Sequence, residues 1–582
     1  MEILSAAGIH RPADHRAEGF IRWHLRGSSQ GPAPLLQSGL AHKQGGEEHE
    51  DCSSARNEVV NIFSCAIIDF LQKGFAGDQS SIEISGTTMR QEKRVPANTM
   101  RNELMFIDGG LSDALGGGKF EKRNPFTGEV IARVAAGGRK DAARAVEAAS
   151  AAFPAWSAMP PGVRRSLFLK AADVLDSRRP EIARLITEET GGTFGWGMFN
   201  CILSSGILRE AAAQTYGLIG EIIPSDLPDT VAMATRQPVG VVVGIAPWNA
   251  PLILGVRAIA LPLAYGNTVV LKASEESPGT HLAIAGVLQQ AGFPKGVINV
   301  ITNAPQDAAD VVDELIAHPK TRRINFTGST KIGRIIAEKA AKYLKRTVLE
   351  LGGKAPLIVL EDADLDSAVS AAKFGSFMNQ GQICMSTERI IVERPVAEEF
   401  AQRLAAKTAT LKVGDPLQPD TQIGPLINKA AIDRLEALIS DATAKGARLL
   451  CGGKSAGSCF TPTVLYGVSK DMRVYAEESF GPLVSVVIAE NSEDAVRIAN
   501  DTEYGLSSAI FSRDVNKAMK IAERLETGMC HINGSTVHDQ PQMPFGGVKD
   551  SGWGRFGGKA ALDEFTELRW ITISRSAIPY PI

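Results

Sequence analysis

The chain has 582 residues, with 62 basic against 65 acidic side chains, a formal charge of -3, 44% apolar and 22% charged residues. That length and balance exclude a small stapled scaffold and a disordered or fibrous chain, and the near-neutral charge carries no electrostatic footprint for nucleic acid. Seven cysteines without a C-x-x-C pair fit free thiols in a reducing compartment, the cytoplasm, better than a disulfide framework or a thiolate cage, so no metal is expected.

Residues 1–99 hold five of the nine histidines (His10, His15, His24, His42, His49) together with GSSQGPAP and the acidic cluster GGEEHED. They read as a poorly ordered extension, or as sequence ahead of a true start at Met89 or Met100, and they fit neither a secretory nor an organelle leader. The apolar run over 59–71 is interrupted by Asn61, Ser64 and Asp69, so it reads as an amphipathic helix and no membrane span is expected. From Lys119 the text becomes regular. Two short strands flank the turn Asn124-Pro125-Phe126-Thr127-Gly128, and helical patterns follow over 139–155 and 161–189. Short β-branched runs at 240–245, 268–272, 297–301, 323–326 and 348–351 then alternate with helical patterns at 251–264, 280–290 and 331–344. A second series runs through 356–359, 389–392, 463–465, 484–488 and 529–532. This alternation predicts α/β architecture, parallel sheets covered on both faces in the doubly wound class. The tail 565–573 alternates like a strand and has no partner nearby in sequence, so it is expected to join the sheet edge of another subunit.

Polar and glycine residues cluster where these strands stop: APWN at 246–249, KASE at 272–275, NFTGST at 325–330 and LELGGK at 349–354. Ligands on doubly wound sheets sit at the carboxyl ends of strands. In NFTGST, Gly328 permits close backbone approach, while Ser329 and Thr330 either cap the next helix or help hold an anion at its start. No G-x-G-x-x-G fingerprint is present. Cys384, in FMNQGQICMSTE, lies in an Asn/Gln/Gly-rich loop that can supply amides to a reactive thiolate; an inert free thiol is the alternative. Glu350 ends the apolar run TVLEL, where a carboxylate is costly unless it is paired, for instance by Lys354, or serves as a base. Arg257 lies two helical turns beyond Asn249 and within about a quarter turn of the same face, so it looks either into a pocket or onto a surface.

TVLELGGKAP around Glu350, FMNQGQICMSTER around Cys384, APWNAPL around Asn249, and LKASEESP, FTGST, EESFGPL and PFGGVKDSGWGR occur in order over about residues 105–575. Together they resemble the motifs of the NAD(P)-dependent aldehyde dehydrogenase superfamily. GQICMSTER, INGSTVHDQPQMPFGG and DEFTELRWITI are most similar to the vanillin and salicylaldehyde dehydrogenases, which oxidise aromatic aldehydes. The resemblance implies an NAD-binding domain over 100–350 that carries part of a small β oligomerisation element, and a catalytic domain over 351–535. It implies a return to the first domain with a C-terminal oligomerisation strand over 536–582, and a homodimer or homotetramer.

It further implies Cys384 as nucleophile, Glu350 as the base that activates water, and Asn249 with the Cys384 amide as oxyanion donors. The positions that match the cofactor site are Trp248, Lys272, Glu275, Gly328, Ser329, Gly333, Leu351, Glu478 and Phe480. A carboxylate at Glu275 accepts from a ribose 2'-hydroxyl and repels a 2'-phosphate, so NAD is expected over NADP, with Lys272 softening the preference. TNAPQD after residue 301 replaces a glycine-containing turn and affects only the seating of the adenine. Trp196, Phe199, Arg257, Ile383, Met385, Val537, His538 and Phe545 are candidates for the aldehyde pocket, each with core packing or a loop role as the alternative. A semialdehyde or aliphatic aldehyde dehydrogenase, a cofactor-free thioester or ester hydrolase, and an inactive binding protein remain as other readings.

Overall fold

Runs such as VVVGI and TVVLK lack a polar face, so they are stable only in the middle of a sheet covered on both sides. The computed structural model describes residues 100–582; the expectations for residues 1–99 lie outside them. The first sheet has eight strands in the spatial order Gly552–Trp553, Arg346–Glu350, Thr321–Thr327, Val241–Ile245, Thr268–Lys272, Ile298–Ile301, Met105–Ile107 and Gly110–Ser112. The five central strands are parallel and the outer ones antiparallel. Side chains alternate between two cores. Val242, Val269, Leu271 and Val300 pack on one face, and Val243, Ile245, Val270 and Ile324 on the other, as the two-residue period requires. Burying each such side chain contributes about 1.5–3 kcal/mol.

The chain runs from Val241–Ile245 outward through Thr268–Lys272 and Ile298–Ile301, then crosses back to Thr321–Thr327 on the other side of the starting strand. The reversal opens a crevice between the ends of Val241–Ile245 and Thr321–Thr327, where helices diverge to opposite faces. A second sheet follows in the order Arg448–Cys451, Thr463–Tyr466, Leu483–Ala489, Thr387–Glu393, Ala355–Val359, Ser507–Phe511 and Met529–Ile532. All its pairings are parallel except that of Arg448–Cys451. Ser507–Phe511 was not foreseen, because SSAIF is short and half of it is small or polar.

Two expectations are corrected. The helical pattern over 161–189 is two helices, Pro161–Ser177 and Arg179–Thr190, which meet at Arg178. Pro180 lacks an N–H and crowds the preceding turn, so it fits the start of a helix but not its interior. The tail strand Thr566–Ser574 finds its partner in its own chain. It pairs antiparallel with Thr230–Pro238 from Thr566 opposite Pro238 to Ser574 opposite Thr230, and Glu221–Ile223 completes a small three-stranded sheet. That partner lies more than 300 residues upstream, beyond the reach of any local reading.

Candidate active site

Helix Pro251–Ala264 starts just after Val241–Ile245, with Pro251 at its first position and its residues buried throughout. The linking APWN turn therefore sits at the crevice. Pro247, Trp248 and Asn249 from this turn, Thr327, Gly328 and Ser329 from the neighbouring strand end, and Leu351 and Gly352 after strand Arg346–Glu350 line a cleft of about 360 Å³. Its other wall comes from the second sheet's surroundings and includes Gln382, Cys384, Ile427, Asn428, Arg434, Glu478 and Phe480. Two of the three candidate catalytic residues, Asn249 and Cys384, thus share one cavity.

The Cys384 loop is tightly specified. Asn379, Gln380 and Gly381 have consecutive φ values of 48°, 56° and 67°, a left-handed run that only surrounding bonds can hold. Gln380 Nε2 donates to the carbonyls of Gly191 and Pro425, both at 3.2 Å. Asn379 Nδ2 donates to the Asn249 carbonyl at 2.9 Å, tying the Cys384 loop to the oxyanion candidate. The same carbonyl accepts the Trp196 indole N–H at 3.0 Å. Asn249 Nδ2 donates one hydrogen to the Gln382 carbonyl at 3.0 Å, which leaves its second hydrogen for a ligand. The Cys384 N–H has no acceptor among the described residues. Two donors are therefore available beside one sulfur.

Gly352 and Gly353 are glycines for steric reasons. A Cβ on Gly352 would lie 2.9 Å from the Glu478 carboxylate, and one on Gly353 would lie 2.5 Å from the Cys384 carbonyl oxygen. The Gly353 N–H donates to Glu478 Oε1 at 2.9 Å. Glu350 ends its strand opposite Thr327 on one side and Gly552 on the other, and is 1% exposed. Both carboxylate oxygens are buried without a hydrogen-bond partner. Burial pushes its pKa up to about 8, against the lowering influence of Arg257. Lys354 does not neutralise it. That ammonium pairs with Glu388 at 2.5 Å, and Glu388 also accepts the backbone N–H groups of Ser479 and Phe480 at 2.8–3.0 Å. Burial, reinforced by the charges of Glu350 and Glu478, raises the Cys384 thiol well above its ordinary range, so the resting group is a thiol. Glu478 is raised to about 7 by burial and by the Glu388 charge.

Of the cofactor candidates, Trp248, Gly328, Ser329, Leu351, Glu478 and Phe480 line the cleft. Trp248 and Phe480 meet edge to face at 5.9 Å, and Phe480 holds φ 46°. Lys272, Glu275 and Gly333 are outside the lining. Lys272 forms an ion pair with Glu275 Oε1, which also accepts Asn303 Nδ2 at 2.7 Å, so the TNAPQD loop contributes a polar partner to this carboxylate. Gly333 packs beneath Leu351, where a Cβ would come within 2.4 Å of a methyl. Ser329 is the N-cap of helix Thr330–Lys342, but its hydroxyl makes no capping bond. Thr330 instead donates to the Asp550 carbonyl at 3.1 Å. With its hydroxyl uncommitted to the helix, the Ser329 turn suits an anion, and the open cleft fits an extended ligand.

Trp196, Ile383, Met385 and Phe545 are buried in one apolar cluster, against which Phe199, Val537 and Cys384 pack. Trp196 stacks on Phe199 at 5.5 Å. Arg257 is buried, so the surface alternative fails. Its guanidinium lies 4.3 Å over the Phe545 ring and forms an ion pair with Asp539. His538 is exposed, 4.9 Å from the His531 ring. Sequence reasoning missed Gln382, Asp539, Glu388 and Arg434. Gln382 and Glu388 are within four residues of Cys384, a usable signal. Arg434, which donates to the Ser479 carbonyl at 3.1 Å, lies in an ordinary amphipathic helix that offered none.

The family model described as the aldehyde dehydrogenase family matches residues 113–571. Vanillin dehydrogenase of Pseudomonas fluorescens is 56% identical over 478 residues, spanning 82% of this chain and 99% of that protein. Salicylaldehyde dehydrogenase of Pseudomonas putida is 47% identical over 478 residues, spanning 82% and 99% respectively. Among solved structures, the salicylaldehyde dehydrogenase of Pseudomonas putida G7 complexed with salicylaldehyde superimposes with a TM-score of 0.82 at 46% identity, covering 83% of this chain and all of the other. The chain belongs to the aldehyde dehydrogenase family.

Proposed function

We propose that this protein oxidises aromatic aldehydes, of the vanillin or salicylaldehyde kind, to carboxylic acids with NAD, using NADP less well. The observation that carries the reading is the shared cleft of Cys384 and Asn249 beside the buried, unpartnered Glu350, backed by an apolar wall. The names of the vanillin and salicylaldehyde dehydrogenases support the aromatic class.

The Cys384 thiol releases its proton to solvent water, and the sulfur adds to the aldehyde carbon. The new oxyanion accepts hydrogen bonds from the free hydrogen of Asn249 Nδ2 and from the Cys384 N–H, neutral donors aimed where charge develops. Trp248, Gly328, Ser329, Leu351, Glu478 and Phe480 would hold the dinucleotide, with Lys272, Glu275 and Gly333 toward its adenosine end. When bound, the oxidised nicotinamide supplies a hydride acceptor. Departure of hydride from the tetrahedral carbon leaves a thioester on Cys384. Glu350 then takes a proton from water as its oxygen adds to the acyl carbon, and the sulfur leaves with the electron pair of the C–S bond, releasing the acid. The buried indole of Trp196 and the Asn379 amide hold the Asn249 backbone carbonyl, and the Gln382 carbonyl holds its side-chain amide.

Glu275 uses one oxygen on Lys272 and Asn303, which leaves Oε2 for a ribose hydroxyl and keeps negative charge where a 2'-phosphate would sit. The expected setting is cytoplasmic, as a homodimer or homotetramer. Among the described residues no helix is long and apolar enough to cross a membrane. The deciding experiment compares kcat/KM for vanillin, salicylaldehyde, benzaldehyde and succinate semialdehyde with NAD and NADP in parallel. Preference for the semialdehyde refutes the aromatic assignment, and acid released from an ester or thioester without dinucleotide, with no aldehyde oxidised, would indicate a hydrolase.

A further inference from the structure

We propose that Asp539 makes the aldehyde pocket selective for aromatic aldehydes that carry a ring hydroxyl, by accepting that hydroxyl on its free carboxylate oxygen. The inference rests on the aromatic-aldehyde reading above and narrows it. Arg257 and Asp539 form an ion pair with side chains only 7% and 8% exposed, and the guanidinium carbon sits over the Phe545 ring, 4.3 Å from its centre. Phe545 belongs to the same apolar cluster as Ile383 and Met385, the two neighbours of the nucleophile, and Cys384 packs against that cluster. The charges of Arg257 and Asp539 both act on the Cys384 thiol, so the buried pair stands near the sulfur.

Asp539 Oδ2 is satisfied by Arg257, but Oδ1 is buried with no hydrogen-bond partner. A buried carboxylate oxygen without a donor is unfavourable, and a ligand that brings an O–H to it recovers a charge-assisted hydrogen bond. A substrate without that hydroxyl leaves the oxygen orphaned, which is how sites built to bond a hydroxyl reject analogues that lack it. The pairing also cancels the Arg257 charge. A carboxylate-bearing aldehyde or an ionised phenol would meet the Asp539 carboxylate without a free cation to offset it.

The test measures kcat/KM for benzaldehyde and for the 2-, 3- and 4-hydroxy and matching methoxy benzaldehydes, in the wild type and in Asp539→Asn, read as ratios within each protein. A methoxy group keeps an acceptor for Arg257 but has no proton for Asp539. At one ring position or more, hydroxy should exceed both methoxy and hydrogen by tenfold or more in the wild type, and Asp539→Asn should cut that advantage to within about threefold. No hydroxyl advantage in the wild type overturns the proposal, as does an advantage that survives Asp539→Asn. If Asp539→Asn does not fold, the wild-type ratios decide alone. Oxidation of benzaldehyde without a hydroxyl advantage removes this inference and spares the aromatic reading; oxidation of succinate semialdehyde with no aromatic turnover removes both.

Discussion

Glu350 carries a conflict between burial and charge. Its pKa near 8 means that the carboxyl is largely protonated at pH 7 and becomes a base only as pH rises. Thioester hydrolysis should therefore accelerate between pH 6 and 9 with a midpoint near 8. Glu350→Gln should lose that inflection, keep an initial burst of reduced cofactor and slow steady-state turnover by roughly 10²–10⁴-fold. Rapid-mixing traces at several pH values would check both. The same shift has a stability consequence of opposite sign. The folded protein favours the neutral form, so the Glu350 contribution is fully present below its ordinary value of 4.5 and declines as pH rises through about 8. At the far end of the proposed cofactor path, Glu275→Gln should raise the ratio of NADP to NAD efficiency about tenfold, because like-charge repulsion at the 2'-position is removed. Parallel saturation curves with the two dinucleotides would measure it. An unchanged ratio would make Glu275 only a partner for Lys272 and Asn303.

The LGGK turn and the Cys384 loop act as one unit at the scale of elements. With a Gly353 Cβ only 2.5 Å from the Cys384 carbonyl, Gly353→Ala must displace one loop or the other. The expected cost is about 1–3 kcal/mol of stability, together with a kcat fall of up to about a hundredfold, since small misplacements of reacting groups are expensive. Denaturant melts and kcat on the soluble variant would report the two effects separately. What sequence alone revealed follows from the same physics. The strand Thr268–Lys272 was legible to the residue, because an apolar run rich in β-branched residues between turns leaves few alternatives. Cys384 and Glu350 stood out as candidates because each breaks its local pattern, and Asn249 because its motif resembles that of the family. Asp539 did not, because a loop aspartate is ordinary until its buried arginine is known. Of the two readings left open for Glu350, pairing with Lys354 falls away for a similar reason. Sequence proximity favoured Glu350, whereas the next parallel strand brings in Glu388.

The whole molecule places its candidate chemistry between two sheets and leaves a third sheet outside. Leu568, Trp570 and Ile573 on the strand Thr566–Ser574 are 60%, 75% and 51% exposed, and Ile222 on Glu221–Ile223 is 82% exposed. Apolar exposure of this kind on a small sheet is what subunit association would cover. Trp570→Asp should therefore shift the protein toward a smaller species in size exclusion with light scattering. An unchanged mass would move the proposed interface elsewhere.

The tail pairing also bears on biosynthesis. Thr230–Pro238 leaves the ribosome long before Thr566–Ser574, its neighbour along nine residue pairs, has been made. Until release, the growing polypeptide presents an incomplete ribbon with an open edge, a template for pairing with other nascent chains. Premature termination upstream of Thr566 leaves that edge permanently bare, so the last few codons govern whether the product stays dispersed.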